Sequence, residues 1–267
     1  MKSARWLLAS LFALVLTASA AAQTLKQLTL KELNQRARGS VVLLKNLDAS
    51  GEEVGEGTGF VIRDGYILTN YHVVEGASRM QAVLPDKRVL ELQGILAQDA
   101  GHDLAILQAP THSLRPLPLV GPDLVEPGER VVVLGNPLGF SSTLSDGIVS
   151  AWREKGIEEE PEFIKGPLLQ ITAPISHGSS GSPVMNLDGE VVGVAVAFFE
   201  GGQSLNFAVP ASSVRKLLAK VDPKRLERKF SASGSFSFAS NPEYLRNLGI
   251  SGLLFAGIFV AFRMMRR

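Results

Sequence analysis

From Ser40 to Pro210 the chain is a succession of short β-type runs cut by turn residues, and that texture limits the folds open to it. The runs are Val41 to Leu47, Gly59 to Arg63, Tyr66 to Thr69, Arg88 to Leu96 and Leu104 to Gln108, then Arg130 to Leu134, Gly147 to Ala151, Leu168 to Thr172, Val184 to Asn186, Val191 to Phe198 and Leu205 to Val209. A Pro-rich crossing, Pro116 to Pro127, separates the two sets, and Asp64-Gly65 and Asp188-Gly189 are two-residue hairpin signals. Two groups of about six strands predict an all-β protein of two six-stranded antiparallel β-barrels, one over about 40–120 and one over about 121–222, rather than an α/β sheet. Clefts between such halves are favoured places for sites.

Helical signals flank this region. Thr29-Leu-Lys-Glu32 is a capping-box pattern opening a short helix through Arg38, within an N-terminal helical segment 23–39. Val214, Leu217, Leu218 and Val221 recur at helical spacing, so a closing C-terminal helix is expected on the second barrel, with Ser212 or Ser213 as its N-cap and Asp222-Pro223 as its stop.

The ends have their own signatures. Residues 1–22 carry Lys2 and Arg5, an apolar run from Trp6 to Leu16 and small residues at Ala18-Ser19-Ala20, the layout of a secretory signal peptide. Residues 248–262 form an apolar stretch ahead of a basic tail, 263–267, the arrangement of a transmembrane helix whose preceding chain stays outside the cytoplasm. A sorting signal processed after export has the same layout. Residues 223–247 read as the linker, and Lys224, Arg225, Arg228 and Lys229 as a solvated basic face. The expected place is therefore the periplasmic or other extracytoplasmic face of the cell membrane, with one C-terminal anchor.

Composition removes several classes of function. There is no cysteine, so disulfides, thiol nucleophiles and thiolate metal sites are out of reach. A net charge of +1 gives no overall field to recruit nucleic acid. No ligand spacing implies a metal or an organic cofactor, and nothing sets an oligomeric state.

One stretch raises a question of chemistry. His177-Gly-Ser-Ser-Gly-Ser-Pro183 has the composition of a surface loop, yet it could hold a nucleophile. A serine hydroxyl attacks only when a base takes its proton, and the base needs a carboxylate to fix it, so the fold would have to gather Ser, His and Asp. Of the four histidines, His72 follows a strand and starts a helical turn, whereas His102, His112 and His177 lie in loops where exposure is the plain expectation. Asp103 stands at the mouth of the apolar strand Leu104 to Gln108, where it would be partly buried and need a partner, or merely cap the strand.

Seven blocks then turn texture into resemblance: Gly57-Thr-Gly-Phe60, Tyr66-Ile-Leu-Thr-Asn-Tyr-His72-Val-Val, Asp103-Leu-Ala-Ile-Leu, Gly135-Asn-Pro-Leu-Gly139, Asp146-Gly-Ile-Val-Ser-Ala151, Gly178-Ser-Ser-Gly-Ser-Pro183 and Asn206-Phe-Ala-Val-Pro210. In this order the chain resembles the HtrA/Deg branch of trypsin-like serine proteases. The resemblance implies the two-barrel fold, Ser180 as nucleophile, His72 as general base and then acid, Asp103 orienting His72, and an oxyanion hole from the N–H groups of Gly178 and Ser180. It also implies protein or peptide substrates and a serine endopeptidase activity on envelope proteins. Ser179 and Ser182 are taken as loop-formers. They stand where the family often has Asn and Gly, and no PDZ module is expected after the protease unit. Pocket walls are expected from Thr172 to Ser176 and from Val194 to Asn206, with a small or aliphatic preference rather than Lys or Arg. The competing expectations are a catalytically idle binding or sensing module on the same fold and a structural envelope protein with an incidental cleft.

Overall fold

The computed structural model describes residues 27–110, 114–121, 125–136, 143–155, 164–198 and 205–230. The expected signal segment 1–22, the span 248–262, the tail 263–267 and His112 lie outside them. Among the described residues no helix is long and apolar enough to cross a membrane.

The first half is one antiparallel sheet built from β1 (Val41–Leu47), β2 (Glu53–Arg63), β3 (Tyr66–Thr69), β4 (Arg79–Val83), β5 (Val89–Glu91), β6 (Gly94–Asp99) and β7 (Leu104–Gln108). The second half is β8 (Arg130–Gly135), β9 (Thr143–Arg153), β10 (Leu168–Ile171), β11 (Pro183–Met185), β12 (Val191–Phe198) and β13 (Asn206–Pro210), closed into a six-stranded barrel in the order β8-β9-β10-β13-β12-β11. Six strands are right for that barrel. For the first half they need correction: its sheet has eight strands in the order β14-β6-β7-β3-β2-β1-β4-β5 and stays open, because β14 (Arg228–Lys229) joins one edge and β5 ends the other. The predicted strand 88–96 is two strands, and β4 fills a stretch with no strand predicted.

Why the runs look continuously apolar follows from what lies on either side of them. Along β8, Val131 and Val133 face the interior of the second barrel while Val132 and Leu134 enter a core shared by both halves. β7 divides likewise: Leu104 and Ile106 join the shared core, and Ala105 and Leu107 the interior of the first half. A strand covered on both faces needs apolar residues at every position, not at alternate ones. The halves are thus bonded through a common hydrophobic layer that includes Phe60, Leu68, Val191 and Val209.

α1 (Leu30–Ala37) starts with the expected capping box: the Glu32 N–H donates to Thr29 Oγ1 at 3.2 Å and the Thr29 N–H to Glu32 Oε2 at 2.9 Å. Its Leu33 and Ala37 enter the shared core. α2 (Tyr71–Val74) is one turn carrying His72. α3 (Ala211–Leu218) closes the chain's second half with Val214 and Leu217 in the shared core. Its N-cap is Pro210, whose extended backbone enters the helix directly, so Ser212 and Ser213 are helical residues and not caps. β14 lies within the stretch expected as linker. Its Arg228 is not simply solvated: the guanidinium donates to the Val74 carbonyl at 2.6 Å and stacks 5.5 Å from the Phe230 ring, which ties this strand to the turn that bears His72.

Candidate active site

His72 and Asp103 are brought together from different elements, α2 and the residue ahead of β7. The carboxylate grips the histidine at two points: Asp103 Oδ1 accepts the His72 backbone N–H at 2.9 Å, and Oδ2 lies 2.7 Å from His72 Nδ1. Asp103 can do this because its backbone turns into the left-handed region (φ 51°), which Asp tolerates better than most residues, at the end of the 3-10 turn Ala100–His102. Its carbonyl is held in turn by Asn70 Nδ2 at 3.0 Å. A buried carboxylate needs such partners, and the Asp103 side chain is only 5% exposed. The His72 side chain is 32% exposed and so remains accessible.

The electrostatics follow from this packing. Burial pushes the His72 imidazole down, but the Asp103 charge, the Asp103 hydrogen bond and, more weakly, Glu75 outweigh it, so its pKa stands above the ordinary histidine value. A carboxylate without a proton only accepts hydrogen bonds, so beside it the neutral ring carries its proton on Nδ1, which makes Nε2 the basic nitrogen.

The serine loop reaches the same place through β2. Gly57 of β2 is wedged between the two: a Cβ there would lie 2.8 Å from Val73, the neighbour of His72, and 3.4 Å from the Ser180 carbonyl oxygen. Next to it, the Thr58 N–H donates to that Ser180 carbonyl at 2.8 Å. Within the loop, Ser179 and Ser182 are buried (5% and 0% exposed), whereas Ser180 keeps part of its surface. Ser179 Oγ accepts the Ser176 N–H at 3.2 Å, a loop-forming bond. Among the described residues no protein acceptor takes the N–H of Gly178 or of Ser180. Gly178 and Gly181 both have positive φ (85° and 84°), which aims these amides, and a Cβ on Gly181 would collide with the Thr58 carbonyl. Donors arranged in this way suit an oxyanion.

Other expected residues fall elsewhere. His102 is not simply exposed: it is half-buried and pairs with Asp99 through Nδ1 at 3.1 Å. His177 is exposed at the loop entry. Of the pocket walls, Asn206 is buried and its Nδ2 donates to the Ala173 carbonyl at 2.9 Å, pinning the start of the loop. A small or aliphatic preference requires walls without an acid, yet Glu200 belongs to the second wall; residues 199–204 lie outside the described ones. Among the described residues no group of three or more His, Asp or Glu is placed to hold a metal. Thr58, on β2, and Asn70, ahead of α2, are the buried partners that reading the sequence did not single out, because an isolated Thr or Asn carries no spacing signal.

The profile of the trypsin-like peptidase domain matches residues 57–194, a little over half of the chain, and spans all three candidate residues. A probable periplasmic serine endoprotease, DegP-like, of Pseudomonas fulva is 39% identical over 160 residues, which is 58% of this chain and 32% of that protein. Among solved structures, the serine endoprotease from Yersinia pestis superposes with a TM-score of 0.63 at 28% identity, covering 72% of this chain and 66% of the other. An HtrA-type protease with a tripeptide does so with a TM-score of 0.65 at 26% identity, covering 72% and 63%. The chain spans about half the length, or less, of the curated relatives it matches. By fold, by profile and by these relatives, the chain belongs to the trypsin-like peptidases, with its similarity running to the HtrA/Deg branch.

Proposed function

We propose that this chain is an exported, membrane-tethered serine endopeptidase that cuts peptide bonds of envelope proteins through an acyl-enzyme on Ser180. One observation carries the reading: Asp103 holds His72 at both its backbone N–H and Nδ1, leaving Nε2 as a base with a fixed direction. In the first half-reaction Ser180 Oγ attacks the peptide carbonyl as its proton passes to His72 Nε2. The developing oxyanion takes the N–H groups of Gly178 and Ser180. Collapse breaks the C–N bond, and the leaving amine receives the proton from Nε2. Water then adds to the acyl group by the same route, its proton relayed through His72, which releases the acid and restores the hydroxyl.

Location rests on the sequence of the ends and on the relatives, which include a probable periplasmic serine endoprotease. Residues 1–22 would direct export, 40–230 would form the protease unit, since β14 joins its sheet, 231–247 the link and 248–262 the anchor. A small or aliphatic residue ahead of the cut bond is the reading of the expected walls by sequence, in which Glu200 is the single acid.

Mapping new N-termini in an envelope-protein mixture treated with the full chain, or with its Ser180→Ala variant, tests this. Cuts made only by the wild-type chain, enriched after small aliphatic residues, are expected. The same cuts from Ser180→Ala would contradict the assignment of the nucleophile.

A further inference from the structure

We infer that Thr58 is a positioning residue whose hydroxyl sets the orientation of the serine loop; this rests on the role proposed above for Ser180. Thr58 is completely buried in β2, and each of its polar groups is bonded. Its N–H donates to the Ser180 carbonyl at 2.8 Å, its Oγ1 donates to the Gly178 carbonyl at 2.7 Å and accepts the Asn136 N–H at 3.0 Å, and its carbonyl accepts from Thr69 Oγ1 at 2.7 Å. One side chain from the first half therefore reaches both strands' ends of the second: the loop of the nucleophile and the end of β8.

The consequence lies in the peptide planes. A trans peptide points its C=O and N–H in opposite directions, so bonding both groups of one unit removes its freedom to rotate. The unit joining residues 178 and 179 is held by Thr58 Oγ1 at its carbonyl and by the Ser176 carbonyl, 2.8 Å from the Ser179 N–H. The unit joining 180 and 181 is held by the Thr58 N–H at its carbonyl and by the Ala195 carbonyl, 2.9 Å from the Gly181 N–H. Between them the Ser179 carbonyl accepts the Ser182 N–H at 2.9 Å, so the Ser180 N–H must face the other way. That is the direction in which an oxyanion donor is wanted. Without the hydroxyl, the 178–179 unit loses one of its two holds, and this unit, which lies between the one carrying the Gly178 N–H and the one carrying the Ser180 N–H, is free to turn and so to change the angle between the two donors.

The test uses the full chain with Thr58→Ser, Thr58→Cys and Thr58→Val, which keep the backbone bond to Ser180 and lower donor strength stepwise. Steady-state kinetics on a peptide that Ser180→Ala does not cut should show kcat falling in the order Thr, Ser, Cys, Val. The Val variant should lose about tenfold or more, with KM within about twofold and the midpoint of the acid limb of the pH profile unchanged. Thr58→Ser should return activity to within about threefold of wild type. Wild-type kcat in Thr58→Val overturns the inference alone. So does an equal loss of kcat in Ser, Cys and Val that follows their thermal midpoints instead of donor strength. If Val fails to fold, the Ser and Cys variants decide, and equal kcat in those two overturns it. Cleavage retained in Ser180→Ala overturns the nucleophile assignment and this inference with it.

Discussion

Two His–Asp pairs stand a few residues apart in this chain and differ in nearly every respect that matters to chemistry. Asp99 and His102 share one 3-10 turn, meet at 3.1 Å and keep 25% and 29% of their side-chain surfaces, with Lys220 Nζ 3.7 Å from the same carboxylate. Asp103 and His72 come from distant parts of the sequence, meet at 2.7 Å and have a nearly buried carboxylate that also holds the histidine's backbone. The first pair is a local product of spacing. The second exists only if the sheet folds, and burial makes its geometry rigid. Proximity of His and Asp is common at surfaces and does little there; what distinguishes a base is depth on the acid side with access on the imidazole side.

The largest expected difference is catalytic. Asp103→Asn should lower kcat about 10³- to 10⁴-fold, because an amide can donate to Nδ1 and favour the wrong tautomer. Asp99→Asn should leave kcat within about twofold, and parallel kinetics on the two variants decide whether only one pair serves the reaction.

A second difference concerns pH. Since the Asp103 side raises the His72 pKa despite its burial, cleavage should fail on acidification with a midpoint above the ordinary histidine value of about 6.5. That sets the limb higher than an unperturbed base would. The linkage has the opposite sign for stability. A raised folded-state pKa adds stability that is fully present below about pH 6.5 and is lost as pH rises through the folded value, so activity grows over the interval in which this contribution fades. A pH–rate profile beside thermal midpoints from pH 5 to 8.5 measures both trends.

Asp99 gives the smallest effect, and its window is acidic. Burial pushes its carboxyl up, but hydrogen bonds from the His102 ring and backbone N–H and the charges of His102 and Lys220 outweigh it, leaving the pKa lowered. Its contribution is present above about pH 3.9 and lost as pH falls through the folded value. Asp99→Asn should therefore cost no more than about 1 kcal/mol at pH 7, and the gap from wild type should close on acidification, as denaturant titrations at pH 7 and pH 3 would read.

The same contrast explains what could be read from the letters. The capping box at Thr29, the hairpins at Asp64-Gly65 and Asp188-Gly189 and the runs later found as β1, β3 and β12 are governed by neighbours in sequence, so local pattern suffices. β4 is not predicted although its residues alternate between Gly76-Ala-Ser78 and Pro85-Asp86, because Arg79, Met80, Gln81 and Ala82 are not β-branched or aromatic, and its burial comes from pairing with β1. β14 forms where a basic linker was expected since Gly94 of β6 has no side chain to keep the Arg228 carbonyl away. His72, Asp103 and Ser180 could be named through the resemblance of whole blocks. Thr58 lies in one of those blocks, but its role does not show there, since it comes from a serine loop 120 residues later.

Labelling with a serine-phosphonylating reagent, followed by peptide mapping, tests the central claim most directly. The account predicts modification at Ser180 in the wild-type chain and in His102→Ala, and its loss in His72→Ala. Labelling that survives His72→Ala, or a wild-type chain in which Ser180 stays unmodified, would contradict it.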